Sequence, residues 1–140
     1  MKVLIAVDGS EYTKRMLAYW AAHDDWLRDD FDYTILTVVP AIPARAAAVL
    51  DRALLQGYYA DEGEQIFRPI KAFLEQRKVR AIFVSKTGVP AEVIAKTAQE
   101  DGFDLVLMGS HGHSALGNLT LGSIATKVLS ACSVPVLLIR

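Results

Sequence analysis

At 140 residues, with 52% hydrophobic and 22% charged side chains, the chain has the composition of one folded domain and not of a disordered segment. Its 15 Lys plus Arg stand against 16 Asp plus Glu, a formal net charge of −1, so no overall basic field draws it to a nucleic-acid backbone. The lone Cys132 excludes an intrachain disulfide and a multi-cysteine metal site, and no apolar run reaches the roughly 18 residues of a membrane-spanning helix.

The N-terminus enters an apolar strand pattern without a signal-peptide layout, which together with the single cysteine predicts a cytoplasmic protein. Lys2-Val-Leu-Ile-Ala-Val7 is a continuous apolar run that ends at Asp8-Gly9, the pattern of a strand buried on both faces of a parallel sheet. Ser10 can then cap a helix with Glu11 in its first turn, and Met16, Leu17, Trp20 and Ala21 recur at helical spacing. The acidic stretch from Asp24 to Asp30 reads as the exposed end of that helix and the loop beyond, with His23 a surface residue at the helix end.

A β-branched run, Tyr33 to Val39, predicts a second strand stopped at Pro40. Ala41 to Gln76 is mostly helix-forming, with a break expected near Gly57, and the part from Ala41 to Gly63 is a candidate lid. Arg80 to Ser85 is a third strand, Pro90 opens a helix to about Gln99, and Gly102 ends it. Asp104 to Met108 is a fourth strand and Val134 to Ile139 a fifth, with a helix from Ile124 to Ser130 between them. Strands alternating with helices predict right-handed βαβ crossovers and a parallel, doubly wound α/β sheet. Trp20, Trp26, Phe31, Phe73 and Phe83 read as core.

In such a sheet, ligands bind beyond the carboxyl ends of the strands, where neighbouring crossovers leave to opposite faces. Asp8-Gly9-Ser10 follows the first strand, and the loop from Gly109 to Ser123 follows the fourth with the spacing G-x2-G-x9-G-S. Glycine lets the backbone turn and lets a ligand approach amides that a Cβ would shield. Gly122-Ser123 opens a helix, whose free N–H groups and dipole favour an anion. Taken alone, these glycines can equally be turn residues, Ser123 a helix cap, and Asp8 the acceptor of a turn with its own backbone.

On these motifs the chain resembles the nucleotide-binding branch of the universal stress protein family over residues 1–140. The shared features are Val7-Asp-Gly-Ser10, Gly88-Val-Pro90, Asp104-Leu-Val-Leu-Met-Gly-Ser-His-Gly112, Leu121-Gly-Ser123 and Ser133-Val-Pro-Val136. The resemblance implies a single Rossmann-like domain of the adenine nucleotide alpha hydrolase type, with a five-stranded sheet in order 3-2-1-4-5 and helices on both faces. It implies ATP, or ADP or AMP, with Mg2+. Asp8 would then meet the ribose, backbone groups near Val39 the adenine edge, and Gly109, Gly112, Gly122 and Ser123 the phosphates. Gly9, Pro40, Met108, His111, His113 and Ile124 complete the implied set. Antiparallel homodimerisation through Val134 to Ile139 is also implied.

One departure stands out. Many nucleotide-binding members carry a basic side chain between the second and third motif glycines, where this chain offers only His113 and Asn118 as phosphate contacts. Backbone amides and a divalent cation can take its place. His111 and His113, two apart in a loop without a third ligand nearby, fall short of a zinc signature. No dinucleotide fingerprint, P-loop or phosphoacceptor aspartate is present, and no nucleophile, base and orienting group can be named together. The sequence thus predicts a nucleotide-binding regulatory module with slow hydrolysis at most. The competing reading is a dimeric interaction module of the same fold that carries no nucleotide.

Overall fold

The computed structural model describes residues 1–23, 30–113 and 121–140. Trp26, Asn118 and most of the acidic stretch lie outside these. In chain order the elements are β1 (Lys2–Ala6), α1 (Glu11–Ala22), β2 (Asp32–Pro40), α2 (Ala44–Ala47) and α3 (Arg52–Gln76). There follow β3 (Ala81–Gly88), α4 (Pro90–Glu100), β4 (Leu105–Gly109), α5 (Ser123–Ala131) and β5 (Val136–Ile139). The five strands form one sheet in the order β3-β2-β1-β4-β5, with every neighbouring pair parallel.

The apolar runs explain why the sheet is covered on both sides. Successive side chains of a strand point to opposite faces. Val3, Ile5 and Val7 enter one core with Met16, Leu17 and Trp20 of α1 and Phe67, Ile70 and Leu74 of α3. Leu4 and Ala6 enter the other with Ile94 and Ala98 of α4 and Ala125 and Val128 of α5. Leu4 and Ile5 are both 0% exposed, so β1 is buried on each face as its unbroken run requires. Trp20 is buried, and Phe31, Phe73 and Phe83 pack against the same cluster, so these aromatics are core residues. Crossovers through α1 and α3 leave on one face and those through α4 and α5 on the other. The switch therefore falls between β1 and β4, which pair directly.

The segment after β2 departs from expectation. α3 runs unbroken through Gly57, and the interruption falls between Ala47 and Arg52 instead. Asp51 decides this: its carboxylate accepts the Ala53 amide at 3.1 Å and caps α3. A helical glycine costs only about 1 kcal/mol relative to alanine, which a long packed helix absorbs. β3 also extends past Ser85 to Gly88, because β2 supplies partners up to Pro40. Gly102 takes φ +66° and ends α4 as expected. His23 sits exposed at the end of α1 and donates to the Tyr19 carbonyl at 2.7 Å.

Because a Cβ at Gly57 would meet nothing within 4 Å, Gly57→Ala is expected to stabilise the protein by about 0.5–1 kcal/mol. Urea denaturation measures it, and a loss of stability would mean that the helix is interrupted there after all.

Candidate functional site at the switch point

β1 delivers Asp8 to the carboxyl edge of the sheet, where a short hydrogen-bonded turn holds it. Its Oδ1 accepts from the Ser10 amide and from the Thr13 hydroxyl, each at 2.9 Å, and Thr13 Oγ1 accepts the Asp8 amide at 3.1 Å. Ser10 Oγ accepts the Thr13 amide at 3.4 Å and caps α1. Gly9 provides the positive φ of +74° that this turn requires. Asp8 therefore does make the local turn, through one oxygen.

The other oxygen points across the switch. A Cβ built on Gly112 would stand 2.5 Å from Asp8 Oδ2, so only glycine lets the two loops come this close. His113 adds a second tie between them, its Nε2–H donating to the Asp8 carbonyl at 2.7 Å. Beneath the tie, the fully buried Ser110 donates its amide to Ile139 of β5 and accepts the Gly122 amide, both at 2.8 Å. Its hydroxyl meets His111 Nδ1 at 2.9 Å, and the His111 ring lies 4.9 Å from that of Tyr12.

The start of α5 completes the site. Gly122 is its N-cap and offers no side chain to satisfy the first turn. Among the described residues, the amides of Ser123, Ile124 and Ala125 find no acceptor, and neither does that of Gly112. The Gly112 nitrogen lies 3.7 Å from where a Gly122 Cβ would stand, so the two stretches that carry these donors lie side by side. Gly122 contributes space and not a donor, since its amide is already bonded to Ser110.

A cleft of about 370 Å³ opens in front of these groups. Asp8, Gly109, His111, Gly112, His113, Gly122, Ser123 and Ile124 form one end, while Val39, Pro40 and Met108 lie among the apolar groups of the rest. Val39 is itself only 4% exposed, so its side chain is core and its backbone faces the cleft edge. Of the residues implied by resemblance, only Gly9 lies outside the lining. A Cβ there would meet Ile66 of α3 at 3.5 Å, and the part of Gly9 is to turn the chain.

Thr13, Thr37, Glu62, Ile66, Pro90 and Ile94 also line the cleft; the sequence did not name them as site residues, though Pro90 stands in a shared motif and Glu62 within the candidate lid from Ala41 to Gly63. Thr13 had a local signal, standing at the point in the first helical turn from which it reaches back to Asp8. Glu62 and Ile66 had none, because α3 reaches the site through tertiary packing. Among the described residues the lining includes the carboxylates of Asp8 and Glu62, two histidines and no Lys or Arg. Among the described residues, no three His, Cys, Asp or Glu side chains are grouped to hold a metal ion.

A parallel sheet with its cleft at the switch point, beside an uncapped helix N-terminus, has the architecture of mononucleotide-binding α/β folds. The Universal stress protein family model matches residues 1–140, and the chain belongs to that family. It is 33% identical over 151 residues to a universal stress protein of Thermus aquaticus, covering 99% of this chain and 97% of that protein. The fold matches the solved structure of protein MJ0577 of Methanocaldococcus jannaschii with a TM-score of 0.80 at 27% identity, over 99% and 94% of the two chains. A universal stress protein of Arabidopsis thaliana, solved with AMP bound, shares the fold at a TM-score of 0.69 and 18% identity, over 99% and 90% of the chains.

The Thr13 hydroxyl both accepts from and donates to Asp8, so Thr13→Val is expected to cost about 1–2 kcal/mol in urea denaturation. No change would show that this turn does not hold Asp8.

Proposed function

We propose that this chain is a cytoplasmic regulatory module of the stress response that binds an adenine nucleotide in the cleft between β1 and β4. The observation that carries the reading is the proximity of acceptorless amides, from Gly112 and from the first turn of α5, at one end of an otherwise apolar cleft. Amide donors without protein partners at the mouth of a cleft favour an anion, and the helix dipole adds roughly half a positive charge there. The apolar end, with Leu36, Val38 and Ile94, suits a flat base. Asp8 Oδ2, left over from the turn, can accept from ribose hydroxyls. A relative of the same fold holds AMP, which supports the ligand class.

ATP is the larger ligand this reading admits. Its additional phosphates meet no Lys or Arg among the described lining residues, so Mg2+ carried by the phosphates would supply the neutralising charge. We read the site as a binding device, since Asp8 is committed through Oδ1 to its turn.

Ser123 is the first residue of α5, where proline is well tolerated, and Gly122 before it is already extended at φ −69° and ψ 157°. Ser123→Pro thus deletes an amide and a hydroxyl while leaving the helix intact. Titration calorimetry with Mg-ATP should show saturable binding by the wild type, weakened about tenfold or more in Ser123→Pro and in Gly112→Val. Equal affinity in all three proteins, or no binding by any, would leave an interaction module without nucleotide as the better account.

The second half of the proposal is a homodimer through β5. This strand pairs only with β4 among the described residues and closes one edge of the sheet. Pro135 and Ile139 turn their carbonyls to β4, so the alternating Val136 and Leu138 direct theirs outward. An apolar strand with such an open ladder favours pairing with a second copy. Light scattering should give twice the chain mass for the wild type and the single-chain mass for Val136→Pro, which removes one outward N–H. A monomeric wild type excludes the dimer.

A further inference from the structure

Glu62 lines the cleft from α3 and is half-buried. Among the described residues its carboxylate accepts no hydrogen bond and joins no ion pair. Its position is set by the residue after it. A Cβ on Gly63 would run into the Ser85 hydroxyl and stand 3.7 Å from the Thr37 methyl, so α3 presses its backbone directly onto the ends of β2 and β3. One turn further on, Ile66 closes on Gly9. Glu62 consequently enters the cleft from the side of Thr37, on β2, whose Val38, Val39 and Pro40 share the lining. The acceptorless amides lie at the other end, on the β4 side.

A base that fills the β2 end displaces the water around Glu62. An ionised carboxylate only accepts hydrogen bonds, and leaving it dry and unmatched is costly. The ligand must bring a donor to that place. We propose that Glu62 is a specificity-determining residue that accepts a hydrogen bond from the exocyclic amino group of the bound base, a reading that rests on the adenine-nucleotide site above. The amino group carries two hydrogens, so one serves Glu62 and the other remains for a backbone carbonyl at the end of β2. A base with a carbonyl oxygen in the same place sets acceptor against acceptor and is rejected.

The test is calorimetric titration of the wild type and Glu62→Ala with AMP and with purine riboside monophosphate, which lacks only the amino group. GMP is the third ligand. Alanine is a good helix former at this partly exposed position, and an unchanged thermal midpoint verifies the fold. The wild type should prefer AMP over purine riboside monophosphate by about tenfold, and Glu62→Ala should bind the two equally, at the weaker level. Equal binding of both ligands by the wild type overturns the proposal while leaving the nucleotide site standing. So does a parallel loss for both ligands in Glu62→Ala, which would assign the carboxylate to the ribose. No AMP binding by the wild type, or tighter GMP, removes the adenine site and this proposal with it.

Discussion

The site depends on a close approach between two loops that leave neighbouring strands in different crossovers. Asp8 faces both ways: Oδ1 is bound into the first turn of α1, and Oδ2 lies against Gly112. Any side chain at Gly112 would push the loops apart, and any loss of the Ser10 and Thr13 contacts would release the carboxylate to turn elsewhere. The helix start at Ser123 gains its place only because Gly122 can lie against His111 and Ser110, where a Cβ would stand 2.9 Å from the His111 α-carbon. Glycine is required at these two positions for what it lacks, and the donors it uncovers are backbone groups fixed by the fold.

Much of this was legible in the residues themselves. Lys2 to Val7 announces a strand buried on both faces, because only there does an unbroken apolar run avoid exposing every second side chain. The glycine spacing after Met108 marked the loop, and the order of the strands followed from family resemblance, not from periodicity. What was misread came from competing local signals. Gly57 looked like a breaker, but the capping carboxylate of Asp51 and the packing of Phe67, Ile70 and Leu74 outweigh one missing methyl group. The wall formed by Glu62 and Ile66 was invisible for a different reason: nothing within a helix records which distant loop it will cover.

Among the described residues, the polar end of the cleft is built without cationic side chains. Its polar end relies on main-chain dipoles, held in place by the turn at Asp8 and the pin at Ser110, and they cost no reorganisation when a ligand arrives. The same economy would leave the charge of a long phosphate chain unopposed by the described lining residues. On the proposed reading, the carboxylates of Asp8 and Glu62 would make nucleoside recognition, more than phosphate attraction, the protein's own contribution.

Ser110 connects this cleft to the outer edge of the sheet. Its two backbone groups are committed in opposite directions, one to the last residue of β5 and one to the cap of α5. Buried and with no water to substitute for either bond, it leaves the two elements little room to move independently. By linkage, anything that steadies the start of α5 also steadies the outermost strand, and the reverse holds with equal free energy. The outer strand and the start of α5 thus hang on one buried residue.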